Sequence, residues 1–360
     1  MRICLLTHGG NLFGRHYARA FGERGHDVCA ISLTPQDVEG SDVPTRIIAP
    51  AGFDPLATRS RTPYARAVLP VRRAVRDLEP DILFALYLSS AGVVACLSGH
   101  RHVVVSARGG DVSTHIDRRI WRAVFRWQGR RADRIHCVSE SLAEALRDRA
   151  GVREARLIVC PLGVDTGHLP LIDPAVRPHR GRIVCTRSHT AVYDQATLIR
   201  AIKHLAERGV ECHLTFANSR RVKPTRALVA QHGVADRVTF LPGYRPEELP
   251  GLLADADVYV STSLRDGTSS SLLEALSTGT FPVVSDIAAN RPWVEHGRNG
   301  LLFPPGDAEA LADRIAEALS RADLRTAAAP ISRKIVLEKG DLYKGADMLL
   351  DAFRQCLRAK

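Results

Sequence analysis

Two carboxylates bracket a polar, glycine-bearing run in SLRDGTSSSLLEALSTGTFPVVSD (263–286), with Asp266 and Glu274 eight positions apart. DVYVSTS (257–263) has the apolar character of a buried strand, and SSSLLEALSTG (269–279) reads as a helix with Gly279 as its stop. LRDGTSS (264–270) is therefore a strand-to-helix turn whose amides and hydroxyls gather at a helix N-terminus, a ready site for an anion such as phosphate. Glu274, about a turn and a half into the helix, can reach a second group of the same ligand, for instance a ribose diol, because a carboxylate accepts two hydroxyl hydrogens. Asp266 faces the other side of the anion. On these residues alone, a competing reading is a helix capped by Asp266 or Ser269, with Glu274 on its solvated face.

The elements needed to position this turn recur along the chain. RICLLT (2–7), DVCAIS (27–32), DILFAL (81–86), HVVVSA (102–107) and RIHCVS (134–139) read as buried strands, with helical patterns at 14–24, 63–78, 117–130 and 140–149. RLIVCPLGVD (156–165) closes this half, and TGHLPLIDPAVRPHR (166–180), with three prolines and little periodicity, reads as a linker. The pattern restarts with strands at 181–186, 210–217, 237–241, 257–262 and 281–285, separated by helices at 195–208, 225–232, 246–254, 269–278 and 307–320. Apolar strands alternating with helices predict α/β domains with parallel sheets covered on both faces. The expected organisation is two doubly wound domains, 1–165 and 181–340, facing across a cleft, with a C-terminal helix over 341–360. In such folds ligands sit beyond the carboxyl ends of the strands, where these motifs lie.

Composition narrows the class. The 360 residues suit two domains, and 45% apolar residues suffice for a core in each. MRICLLTHGG reads as a first strand rather than a leader, and no apolar run is long enough to span a bilayer. Eight scattered cysteines without a CxxC pair fit reduced, buried thiols in a cytoplasmic protein and no metal site. The net charge of +11 suits an anionic surface or a phosphorylated substrate, and no nucleic-acid motif accompanies it. Within DRRIWRAVFRWQGRRADR (117–134), Arg118, Arg122, Arg126 and Arg130 recur every four residues, and Ile120, Val124 and Trp127 are expected to face the core with Trp121 and Phe125 beside them. A basic amphipathic helix of this kind either shows a solvated arginine face or docks on an anionic membrane surface.

The stretch around Asp266 closely resembles the signature of the retaining GT-B glycosyltransferases of family 4, two carboxylates separated by seven residues with a glycine after the first. Here the pattern is Asp266-x7-Glu274, with Asp replacing the first Glu. PVVSD (282–286) and NGLLFPPGD (299–307) downstream, and ADRIHCVSESL (132–142) and PLGVD (161–165) upstream, extend the resemblance over nearly the whole chain. It implies two Rossmann-like domains, with a nucleotide-sugar donor held mainly by the second and the C-terminal helix crossing back to the first. Glu274 would hold the donor ribose and Asp266 would contact the transferred sugar. Gly267, Thr268, Ser269 and Ser270 would offer amides to sugar and diphosphate, and Gly243 and Tyr244 join the donor-binding candidates. No cofactor is implied; the donor is a substrate, with UDP or GDP favoured.

In CTRSHTAVYDQATLIRA (185–201) the family places an Arg after the strand and a Lys later, both on the diphosphate. Arg187 fits the first; Tyr193 and Asp194 stand where the Lys is expected. A leaving diphosphate gathers negative charge, and one unit charge at about 4 Å is worth roughly 4 kcal/mol at an effective dielectric near 20. Arg187 is expected to bind bidentately, Arg265 or Arg291 to help, and Asp194 to orient Arg187 or meet a sugar hydroxyl. In LTHGGNLFGRH (6–16) the Gly9-Gly10 turn would approach the diphosphate, the alternative being an ordinary tight turn, and His8 and His16 either serve structurally or meet substrate. In VVVSARGGDVSTH (103–115) the family's His-Gly-x-Asp becomes Arg108-Gly109-Gly110-Asp111. Arg108 cannot act as a base and would bind phosphate or an acidic acceptor, or serve structurally with Asp111.

The expected activity is metal-independent transfer, with retention, of a sugar from a nucleotide donor to a hydroxyl of a glycan, lipid-linked or small-molecule acceptor. The expected setting is the cytoplasm, with a peripheral site at the inner membrane face open to it. A degenerate donor-binding subunit, or another GT-B reaction such as epimerisation of a sugar nucleotide, is the alternative.

Overall fold

A computed structural model of the chain describes residues 1–10, 12–38, 42–49, 62–173, 180–218 and 221–359. Its contacts divide the chain into one unit of Met1–Leu162 with Leu342–Lys360 and a second of Gly163–Asp341.

In the first unit the chain runs β1 (Arg2–Thr7), α1 (Leu12–Gly22), β2 (Asp27–Ser32), β3 (Thr45–Ile47), α2 (Thr62–Leu78) and β4 (Ile82–Leu86). A π-type turn, Tyr87–Ala91, leads into α3 (Gly92–Leu97), and β5 (Val103–Ala107), α4 (Gly110–Ser113), α5 (Arg119–Arg131), β6 (Arg134–Cys137), α6 (Glu140–Glu144), a second π-type turn, Ala145–Arg149, and β7 (Leu157–Val159) follow. The sheet is wholly parallel in the order β3-β2-β1-β4-β5-β6-β7, so the direction of winding reverses between β1 and β4. Continuous apolar runs make its central strands because helices cover both faces: every residue of β4 and β5 is buried.

The second unit comprises β8 (Arg182–Cys185), α7 (Gln195–Glu207), β9 (His213–Phe216), α8 (Lys223–Gln231), β10 (Val238–Phe240), α9 (Leu249–Ala254), β11 (Val258–Ser261), α10 (Ser270–Thr278), β12 (Phe281–Ser285), β13 (Leu301–Phe303), α11 (Ala308–Ser320) and α12 (Ala322–Lys339). Its sheet is also parallel, β10-β9-β8-β11-β12-β13, with the reversal between β8 and β11. The chain ends in α13 (Leu342–Arg358), which belongs to the first unit. Leu342, Ala346, Leu349, Leu350 and Phe353 form its buried stripe, at helical spacing, in one cluster with Tyr17, Phe21 and Phe84. The Cβ-less Gly345 lets α13 lie against the Pro161 carbonyl, which an added Cβ would meet at 2.9 Å.

Three expectations change. Residues 166–173 of the presumed linker pack within the second unit: Leu169 is buried and its carbonyl accepts from Ser277 Oγ at 2.7 Å, while 174–179 lie outside the described residues. Ile120 is 79% exposed rather than in the core. The inward stripe of α5 is Trp121, Phe125, Gln128 and Gly129, and Ile120, one residue before Trp121, is turned away by about 100°. Helices at 92–97 and 322–339 and strands at 45–47 and 301–303 were not foreseen, being short or, in α12, interrupted by Pro330 and weakly amphipathic.

Candidate functional site

The loops leaving the carboxyl ends of β8 and β11 flank the winding reversal of the second unit, where open α/β sheets bind ligands. Arg187, two residues past β8, lies buried at 9% exposure. Its Nη2 donates to Asp266 Oδ2 at 2.5 Å, and its Nη1 donates to Ser269 Oγ at 2.9 Å and Ser271 Oγ at 3.0 Å. The guanidinium stacks on Tyr193, 3.9 Å from the ring centroid, and its Nε is buried with no hydrogen-bond partner among the described residues. Burial works against its charge, but the Asp266 carboxylate outweighs this and raises its pKa. Two hydrogen bonds sew the loops together: Thr262 Oγ1 donates to the Tyr193 carbonyl at 2.7 Å, and the Leu264 amide to the Val192 carbonyl at 2.9 Å.

The turn into α10 follows from its sequence. Ser269 caps the helix, accepting from the Leu272 amide at 3.2 Å, and Gly279 closes it at φ 75°, a conformation open to glycine. Gly267 donates its amide to Asp266 Oδ1 at 2.9 Å, fixing the second carboxylate oxygen. Thr268 and Ser270 are half-buried on the turn, and the amides of Ser270 and Ser271 bond to no other described residue. Glu274 is half-buried. Its carboxylate makes no hydrogen bond to a described residue, and burial pushes its pKa up to about 7, with Arg187 pulling the other way. Tyr244 lies beside it, its phenol pushed up by burial and then by Glu274, just after Gly243 at φ 126°. Ser271 joins Arg187 to the buried Tyr259, whose hydroxyl donates to Ser271 Oγ at 2.9 Å. The third serine of the run signalled Ser271 weakly; Tyr259, inside an apolar strand, gave no sign.

Two details depart from expectation. Asp194 does not orient Arg187. It sits at φ 39° as the N-cap of α7 and accepts from Thr197 Oγ1 at 2.6 Å, because a carboxylate before a helix satisfies its first amides. The Arg187 fork is already filled by Asp266 and two serines, so it is not open for bidentate capture of a diphosphate in this arrangement. Of the two cations offered in support, Arg291 is paired with Asp286 at 2.7 Å, and Arg265 is exposed next to Asp266.

In the first unit the Gly9 amide donates to Ser32 Oγ and the Gly10 amide to the Asp37 carbonyl, both at 2.9 Å. A Cβ on Gly9 would stand 1.7 Å from the Gln36 carbonyl oxygen, so glycine is required there by the chain's own packing. Arg108 stacks on Phe13 at 3.9 Å and donates Nη1 to the Tyr17 hydroxyl at 3.0 Å, leaving Nε buried without a partner among the described residues. Asp111 holds the backbone rather than the Arg108 guanidinium, accepting from the Arg108 amide at 2.9 Å and the Leu88 amide at 2.6 Å.

Two family models between them match both halves of the chain. Residues 182–335 match the family model for group 1 glycosyl transferases, and residues 8–168 match that for Glycosyltransferase Family 4. The chain belongs to the family 4 glycosyltransferases. Among curated relatives of this glycosyltransferase, the MMP α-(1→4)-mannosyltransferase of Mycolicibacterium hassiacum is 29% identical, over 86% of this chain and 87% of the relative. The GDP-mannose-dependent α-(1→6)-phosphatidylinositol monomannoside mannosyltransferase of Mycobacterium tuberculosis is 26% identical, over 93% of each. Anabaena HepE, solved in complex with UDP, shares the GT-B fold at a TM-score of 0.79 and 20% identity, covering 99% of this chain and 100% of that one. Among the described residues of the glycosyltransferase, no group of three or more His, Cys, Asp or Glu could hold a metal ion, and no helix is long and apolar enough to cross a membrane.

Proposed function

We propose that the chain transfers a sugar, with retention and without a metal ion, from a nucleoside-diphosphate donor bound on the second unit to a hydroxyl of a glycan, a lipid-linked glycan or a small molecule. The observation that carries this reading is the Arg187 guanidinium at the β8/β11 reversal, held by Asp266, Ser269 and Ser271 beside the open helix end of α10. The donor diphosphate takes the Ser270 and Ser271 amides and draws Arg187 away from Asp266. Asp266, released, meets hydroxyls of the transferred sugar. Glu274 accepts from the ribose diol, with Tyr244 and Gly243 beside it. Arg187 stabilises the charge that gathers on the leaving diphosphate. Arg108 cannot remove the acceptor proton, so the leaving phosphate oxygen takes it.

The names of the relatives favour a GDP- or UDP-linked donor and a lipid-borne glycan acceptor. A lipid-linked acceptor also fits α5, where Ile120 stands exposed among exposed Arg119, Arg126 and Arg130, a face suited to the anionic inner surface of a cell membrane.

Thermal unfolding with UDP, GDP, ADP and CMP in turn tests the reading. A ligand at 100 times its dissociation constant adds about 2.7 kcal/mol, several degrees in the midpoint. One clear shift supports the donor site and names its base; no shift with any nucleotide rejects it.

A further inference from the structure

The first unit has its own winding reversal, between β1 and β4, and the residue leaving β4 there is strained. Tyr87 adopts φ 78°, a conformation a bulky side chain rarely takes, at the start of the π-type turn Tyr87–Ala91. Such strain persists only where neighbouring structure fixes it. Here the next residue is gripped from both sides: the Leu88 amide donates to the buried Asp111 carboxylate at 2.6 Å, and the Leu88 carbonyl accepts from the buried Gln128 Nε2 at 2.9 Å. The Gly92 amide closes the turn on the Tyr87 carbonyl, and a Cβ at Gly92 would meet Val105 Cγ1 at 2.4 Å. Two buried polar side chains and an obligatory glycine thus hold one tyrosine in an unfavourable backbone state.

What the strain produces is an aromatic cluster at the strand ends. His8, the first residue after β1, has its ring centroid 6.0 Å from that of Tyr87 and 5.9 Å from that of Tyr64, which it meets edge-on at 88°. His8 Nε2 and the Tyr64 hydroxyl lie 3.0 Å apart. All three side chains are half-buried, so each keeps part of its surface open. Burial lowers the His8 pKa to about 4, which keeps the ring uncharged at neutral pH. Flat apolar faces with a few polar atoms at a winding reversal make a binding site for a small ring that is apolar on one face and hydroxylated at its edge.

We propose that His8, Tyr64 and Tyr87 form a subsite for a pyranose ring of the acceptor, and that Asp111 and Gln128 position it by holding Tyr87 in its strained state. The assignment rests on the glycosyltransferase reading above and gives the Gly-x-Asp segment at 109–111 a positioning role.

Two probes separate this subsite from the donor site. Saturation-transfer NMR with methyl α-D-mannopyranoside and methyl α-D-glucopyranoside reads the subsite, and nucleotide-induced melting shifts read the second unit. The wild-type chain is expected to bind at least one pyranoside. Tyr87→Gly and Tyr87→Ala should each weaken that binding by about tenfold, the order of one lost aromatic contact, while keeping the nucleotide shift. Tyr87→Gly should melt above Tyr87→Ala, since both lose the ring's packing but glycine takes φ 78° without strain. Asp111→Asn should weaken pyranoside binding although it touches none of the three rings, a loss that Asp111→Glu does not repair because the longer side chain misplaces the Leu88 grip. Pyranoside binding unchanged in Tyr87→Gly, or absent from the wild type, overturns the subsite. A wild type that binds the pyranoside but no nucleotide leaves the subsite standing and removes the donor reading instead.

Discussion

The guanidinium of Arg187 and the carboxylate of Asp266, 79 residues apart in the chain, form a largely buried ion pair with Nη2 2.5 Å from Oδ2. The pair spans the two loops of one winding reversal, and each partner's remaining polar atoms are largely committed: Asp266 Oδ1 to Gly267, Arg187 Nη1 to Ser269 and Ser271. Removing one member leaves the other as an uncompensated charge in a poorly solvated place.

Asp266→Ala is therefore expected to destabilise the second unit by about 3–5 kcal/mol, read as a fall in the urea midpoint. Asp266→Asn keeps an oxygen to accept from Arg187 and should cost less stability while still cutting turnover sharply, with nucleotide binding largely retained. If both variants unfold like wild type, the pair is not the electrostatic anchor described above.

Glu274 gives a pH signature. Its pKa rises from an ordinary 4.5 to about 7 on folding, chiefly through burial. Between those values the folded chain holds a proton that the unfolded chain has lost, so this group's contribution to stability falls as pH rises through that window and levels off above about 7. Glu274→Gln removes the titration. The stability difference, Gln variant minus wild type, should grow from pH 4.5 to 7 by on the order of 2 kcal/mol. Melting both proteins in parallel across that range checks the sign, and a flat difference contradicts it. Glu274→Ala should in addition weaken nucleotide binding.

Gly9→Ala should disrupt the β1 end, because its Cβ would fall 1.7 Å from the Gln36 carbonyl oxygen, a backbone atom that cannot step aside cheaply. A cost of about 1–3 kcal/mol is expected. Gly110→Ala is the control: no heavy atom lies within 4 Å of its added Cβ, and its melting point should hold. Equal melting of the two variants would show that the Gly9 turn yields.

The face of α5 predicts salt-sensitive binding to vesicles containing anionic lipid, measured by co-sedimentation. Ile120→Asp should reduce it by adding a charge at the exposed apolar residue, and raising salt from 0.05 to 0.5 M, taken as about a tenfold change, should weaken it in the wild type. Binding indifferent to both would leave α5 an ordinary solvated helix.

Much of this protein was legible in one dimension. RICLLT, DILFAL and FPVVS announce strands buried on both faces, since a strand covered by helices has no polar side to show. The Ser269 cap and the Gly279 stop are local chemistry, and so the α10 turn could be drawn from its letters. Edge strands Thr45–Ile47 and Leu301–Phe303 were invisible because three residues carry no period, and α12 because its alanines and Pro330 blur one.

Charge and strain were decided elsewhere. The sequence by itself determined which groups exist: Arg187, Asp266 and Glu274 beside a helix N-terminus, and a tyrosine after β4. Only the tertiary structure decided that Arg187 faces Asp266 while Asp194 turns to its own helix, that Glu274 is held near neutrality, and that Asp111 and Gln128 lock Tyr87 at a positive φ. The reason is physical. Strand and cap signals arise from neighbours within a few residues, whereas desolvation, ion pairing and imposed backbone strain depend on groups brought together from distant parts of the chain.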